Sequence, residues 1–287
     1  MLMSQWAFSQ TQGEISAFVF GNANTRDNYE SVHDIKKAHQ IATGKGVKVG
    51  IIGTYFGLDK HTELFSGGQD FTGSLKDLST IEEHGYWMAL TLREIAPDTE
   101  IYALNARSRD KALEAGAIVK AIDWAIENDI DILTYSAESF REEHRPMIDK
   151  AVQKAIDHNI VTTFLHYSSK ENILPFGLVE YRDYYSRQPD IRVLHYDFNL
   201  LLTMTYKRYL ASERKPKNGN EEPYFSFSSM STVLAGAIAL MKQVNNTLTP
   251  GEYRQLLKES SREFVFEEQH YKNVLDIASA VKAIGNR

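Results

Sequence analysis

One stretch, SFSSMSTVLAGAIALM at residues 226–241, restricts the possible folds more than any other. From Val233 onward nearly every residue is small or aliphatic, and Ala235, Gly236, Ala237 and Ala239 thin one side. A helix that is apolar all round has no face to turn to water, so it belongs inside the molecule with other elements packed on every side. Small residues also let a neighbouring backbone come close. Ser226, Ser228, Ser229 and Ser231 gather at its start, where hydroxyls cap unpaired backbone N–H groups. A helix mouth is equally a place where a nucleophilic hydroxyl can be exposed.

The segments before it supply the layers that would bury such a helix. Residues 45–53, KGVKVGIIG, read as a short buried strand, and EIYALN at 100–105 as a second one after the turn at 96–98. Between them, residues 84–94 read as a helix. Residues 111–128 carry apolar side chains at helical spacing: Ala115, Ile118, Val119, Ile122, Ala125 and Ile126. The strand IDILTYS follows, then the helix MIDKAVQKAIDHN, then the strand IVTTFLHYS. This alternation predicts an α/β fold, a mostly parallel sheet of about six or seven strands with helices on both faces. Chemistry in such sheets sits beyond the carboxyl ends of the strands. Residues 170–225 break the rhythm with many tyrosines and the polar loop SERKPKNGNEEP; IRVLHYDF is the clearest strand there. After the buried helix, residues 249–261 read as an amphipathic helix with Thr249 ahead of Pro250, and residues 276–285 as another.

The balance of residue types excludes several functions. The chain has 287 residues, is 43% hydrophobic and 24% charged, and carries a formal net charge of −6, as a soluble globule would. An acidic surplus argues against nucleic acid as partner. The apolar run ending at Met241 falls well short of the roughly 20 residues a membrane span requires, so no membrane partner is expected. Cysteine is absent, which removes disulfides and thiolate metal sites. The opening MLMSQWAFSQTQGE has no basic region followed by an apolar core, so a cytoplasmic location is expected. The run GIIGTYFG after the first strand does not make the GxGxxG turn of a dinucleotide site.

Three segments, in order and spacing, resemble the motif regions of the subtilisin-like serine proteases. They are the strand ending at Gly53, the segment EEHGYWMAL, and SFSSMSTVLAG. His84-Gly85 is similar to the His-Gly opening of the helix that bears the catalytic base. IAPDTEIYALN resembles the turn and strand after that helix, and WAIENDIDILTYS the approach to the substrate-binding strand. The last segment falls on the block Gly-Thr-Ser-Met-Ala-Thr-Pro-His-Val-Ala-Gly, with Ala235 and Gly236 setting the register. That register puts Ser228 at the nucleophile; a register one residue later would choose Ser229. The resemblance implies the subtilisin-like three-layer fold over residues 34–287, with residues 1–33 as an N-terminal extension packed on it. It also implies a peptide or protein segment as partner, with Ser136, Ala137 and Glu138 on the substrate-binding side. No cofactor is implied. No calcium ligand can be assigned, since no EF-hand signature is present.

The chemistry explains why these segments must converge. A serine hydroxyl is a poor nucleophile until an imidazole accepts its proton. The imidazole in turn needs a carboxylate on its far nitrogen, and the oxyanion needs donors. Here the resemblance breaks. Gly53 stands where it places the carboxylate, and Ser168 where it places the oxyanion-hole Asn, with His166 and Asn172 close by in sequence. Ser226-Phe227 replace Gly-Thr before the nucleophile, and Glu138-Ser139 replace glycines after the substrate-binding strand. These losses imply a pseudoprotease that retains a peptide-binding cleft. The alternative is a weakly active serine endopeptidase using a Ser228–His84 dyad with a displaced acid, for which Asp59, Glu82 and Glu83 are candidates.

Overall fold

The computed structural model describes residues 33–108, 110–136, 142–164, 229–266 and 269–285. In chain order these form α1 (Ile35–His39), β1 (Lys48–Gly53), β2 (Gly67–Asp70), α2 (Leu75–Ser79), α3 (His84–Ile95), β3 (Glu100–Asn105), α4 (Lys111–Glu127) and β4 (Ile132–Tyr135). A 3₁₀ turn at Glu142–His144 leads into α5 (Arg145–Asp157) and β5 (Val161–Phe164). Then come α6 (Ser229–Val244), α7 (Pro250–Ser260), the strands β6 (Arg262–Phe266) and β7 (Gln269–Val274), and α8 (Ile277–Gly285).

Five strands make one sheet in the order β2-β3-β1-β4-β5, and every pairing is parallel. β6 and β7 form a separate antiparallel ribbon. The expected strand at 191–198 lies outside the described residues, as do residues 1–32. Alternation along the strands sends side chains to opposite faces, and each face has its own core. Val49, Ile51, Ile101, Ala103, Ile132 and Val161 join α1, α3, α6, α7 and α8 on one side. Ile52, Leu104, Leu133, Tyr135 and Phe164 join α4 and α5 on the other. The result is three layers, helix–sheet–helix. Among the described residues no helix is long and apolar enough to cross a membrane.

The helix expected at the centre is there. Every described side chain of α6 from Ser231 to Lys242 is buried. Its thin side faces α3: a Cβ on Gly236 would stand 2.6 Å from Ile95 Cβ, so only glycine permits this approach. At the far end α7 begins with a capping box, in which the Thr249 hydroxyl accepts from the Glu252 N–H and the Glu252 carboxylate accepts from the Thr249 N–H.

β1 sits at the centre of the sheet, with β3 on one side and β4 on the other. The chain therefore reverses its direction of winding at β1, and a crevice opens at the carboxyl end of that strand. Gly53 is the last residue of β1 and lies in register with Asn105, the last residue of β3.

Candidate active site

The crevice is built from three element ends. Gly53 closes β1, His84 opens α3, and the start of α6 comes from the far part of the chain. The first turn of any helix leaves N–H groups without intrahelical partners. Here the turn after β1 satisfies them: Gly85 N–H donates to Thr54 O at 2.8 Å and Tyr86 N–H to Tyr55 O at 3.2 Å. The preceding Glu83 N–H also donates to Tyr55 O, at 2.8 Å. Tyr55 holds φ at +61°, unusual for a bulky residue, so its turn is constrained by this docking. On the other side, Ala106 and Arg107 N–H both donate to Gly53 O, at 3.0 and 3.2 Å. These backbone bonds hold the start of α3, and His84 with it, beside Gly53.

Position 53 faces the imidazole directly. A Cβ built on Gly53 would lie 4.0 Å from His84 Nδ1, the distance from which an aspartate could reach that nitrogen. The same Cβ would lie 3.3 Å from Phe56 Cζ. Phe56 is fully buried, and its ring covers Gly85 so closely that a Cβ there would stand 2.5 Å from Phe56 Cδ1. It also packs edge-on against Phe65, with ring centroids 5.9 Å apart. An aromatic ring therefore occupies the space beside the missing acid. Sequence reasoning did not single out Phe56. Its only signal was an aromatic residue between two glycines, Gly53 and Gly57, in a turn with no periodicity.

The surroundings keep His84 neutral. The residue is half-buried, with Nδ1 on the inner edge. Burial first, and then the Arg107 guanidinium, lower its pKa from 6.5 to about 4, with Glu83 opposing only in part. The charge of Arg107 thus acts on the base in the sense opposite to that of an acid. Arg107 also lies 3.8 Å from Glu114, a buried carboxylate that accepts from the Tyr135 hydroxyl at 3.0 Å. The acids considered as substitutes are committed elsewhere or remote from the interior. Glu82 bonds His61 Nε2 at 2.7 Å, and Asp59 is exposed to solvent. Glu83 is the N-cap of α3 and acts on His84 through its field.

Ser136 stands just past β4, buried, and its hydroxyl shares a hydrogen bond with Ser231 Oγ on the first turns of α6. That side chain braces the helix mouth against the sheet. On the next residue, the Thr232 hydroxyl donates to Met88 Sδ of α3 at 3.4 Å. These two contacts, from opposite walls, fix where α6 begins. Ser228 immediately precedes α6 and lies outside the described residues. So do Ser168, His166, Asn172, Ala137, Glu138, Ser139, Ser226 and Phe227; Ser229 is described in its backbone only. Among the described residues no group of three His, Asp or Glu side chains is placed to hold a metal ion.

No protein-family profile matches the chain. Over 157 residues, 48% of its length, it is 26% identical to the minor extracellular protease Epr of Bacillus subtilis, of which that match spans 23%. Its structure is similar to MycP1 from Mycobacterium smegmatis, with a TM-score of 0.60 at 14% identity over 92% of this chain and 87% of the other. Similar values hold for the MycP3 protease of the type VII (ESX-3) secretion system: TM-score 0.61, 12% identity, 91% and 90% covered. Fervidolysin from Fervidobacterium pennivorans, a keratinolytic enzyme related to subtilisin, gives 0.57 at 14% identity, over 89% of this chain and 45% of that enzyme. At such identities the likeness is one of fold. The chain has the subtilisin-like fold.

Proposed function

We propose that this protein is a pseudoprotease, a subtilisin-fold chain that binds an extended peptide or protein segment in its crevice without cleaving it. One observation carries the reading. The position facing His84 Nδ1 is a glycine, and the ring of Phe56 stands against it. A glycine there supplies no carboxylate to stabilise the imidazolium that forms when the serine loses its proton. In subtilisin itself, loss of the acid alone lowers kcat by roughly 3 × 10⁴-fold. Binding makes no such demand: an extended chain adds to a sheet edge through its backbone, with side-chain pockets giving specificity. A cleft can therefore outlive its triad.

A second reading, a weakly active Ser228–His84 dyad, has one observation in its favour. An imidazole with a pKa near 4 is unprotonated at neutral pH, the form a general base must have. Its low basicity is what makes such an enzyme slow.

A fluorophosphonate probe separates the two, because it reacts only with a serine whose proton a base removes. The expected result is no labelling of the wild-type protein, together with saturable binding of an extended peptide measured by calorimetry. Labelling that vanishes in Ser228→Ala would reject the pseudoprotease and establish the dyad.

A further inference from the structure

We infer that Phe56 is the plug of the acid position: its ring crowds the point where a side chain on residue 53 would begin, and by packing on Gly85 it positions the His84 end of α3 in the acid's place. The inference rests on the reading of Gly53 as the vacated acid position. It goes further in holding that the loss is consolidated by a second residue.

The geometry is specific. A Cβ on Gly53 would already be 3.3 Å from Phe56 Cζ and 3.9 Å from Cε2, before any carboxylate is attached. On its other face the ring meets Gly85, the second residue of α3, at a distance that leaves no room for a side chain there. Phe56 is held from behind. Its N–H donates to Asp77 O at 3.3 Å, it forms an isolated antiparallel bridge with Glu82, and Phe65 packs against its ring. The ring therefore cannot swing away without moving the turn, α2 or the lead into α3. A carboxylate placed at 53 would be pressed on an aromatic ring and cut off from water. That environment disfavours its charged form and so removes what the acid is for.

The same ring packs on Gly85, next to His84, and so belongs to the interior on which the helix start rests. Burial is the first cause of the low His84 pKa; Arg107, from the segment after β3, lowers it further, and Glu83, from the lead into α3, opposes. Neither charge is removed by a change at 56.

The test combines Gly53→Asp, Phe56→Ser and the double variant. It follows the His84 ring by NMR titration and Ser228 by fluorophosphonate labelling. Phe56→Ser admits water and should raise the His84 pKa from about 4 by about one unit or more. Gly53→Asp alone should label no faster than wild type. The double variant, with room for the acid and a hydroxyl to hold it, should carry the His84 pKa above 6.5 and label Ser228 about tenfold faster or more. Two results would overturn the inference: labelling by Gly53→Asp as fast as the double variant, or a His84 titration unmoved by Phe56→Ser. If the serine variant fails to fold, Phe56→Leu shortens the ring within an apolar core, and the same shift in smaller measure is expected. An unmoved titration in the leucine variant counts against the plug equally. Ser228-dependent labelling of the wild type would instead strike at the pseudoprotease reading and leave the titration comparison standing.

Discussion

His84 links the site's electrostatics to the protein's stability. The unfolded chain takes up its proton near pH 6.5, while the folded protein resists until about pH 4. Between those values the unfolded state binds more protons, so stability must rise with pH across the window. The contribution is fully present above pH 6.5 and is lost progressively as pH falls toward 4. A displacement of this size corresponds to about 3 kcal/mol. Urea denaturation at about pH 7 and about pH 4.5 should therefore show a steeper loss for wild type than for His84→Gln, the difference approaching that value. Equal pH slopes in the two proteins would mean that the imidazole titrates normally. An acid beside the imidazole would favour its charged form and set the opposite sign.

At the level of elements, the contact that matters most is the crossing of α3 and α6. It places a helix beginning with His84 against a helix that Ser228 immediately precedes, and it depends on Gly236. A methyl group there would stand 2.6 Å from both Ile95 Cβ and Cγ2. Gly236→Ala gains up to about 1 kcal/mol in helix propensity. It should nonetheless destabilise the protein by about 1–3 kcal/mol, because two buried backbones must separate. The measurement is the denaturant midpoint, which should fall with the slope unchanged; a raised midpoint would show that the crossing has slack. Gly236 was legible as a register marker in the sequence. That it meets Ile95, more than a hundred residues away, was not.

Across the whole molecule, the two ends of the sheet serve different purposes. The carboxyl end carries the crevice, while the opposite end is fastened by polar side chains. Lys242, its side chain only 3% exposed, pairs with Asp131 at 3.7 Å and sits 5.4 Å over the Tyr253 ring. Burial lowers the Lys242 pKa, with Asp131 opposing. Asp131 also accepts from the Lys48 N–H, where β1 begins. Next along α6, Gln243 Oε1 accepts three backbone N–H groups, from Thr43, Gly44 and Lys45. A polar cavity of about 300 Å³ lies among these residues, remote from His84. Removing one partner of a buried pair costs far more than replacing the pair by apolar groups. Asp131→Asn should thus destabilise by about 3 kcal/mol, and Lys242→Met added to it should recover much of that loss. If the double variant is no more stable than Asp131→Asn alone, the buried ammonium is not the source of the cost.

What the sequence by itself determined was whatever depends on neighbours a few residues apart. Helical spacing at Ala115, Ile118 and Ile122, the Thr249-Pro250 cap, and the apolar circumference of residues 233–241 each state their own element. Their alternation with short apolar strands left a parallel three-layer fold as the consistent packing. Elements without a local pattern escaped. β2 is GGQD, at the described edge of the sheet and paired with β3, and the ribbon β6–β7 has no clean alternation. Position 53 could be identified as lacking a carboxylate, since a glycine has no side chain in any fold. Only the tertiary structure decided what takes that place. Phe56 reaches Gly53 and Gly85, and Arg107 acts on His84, because β1, β3 and α3 end at one point in space. Contacts between segments so far apart in the chain leave no period, cap or spacing in the sequence; they arise when the layers close.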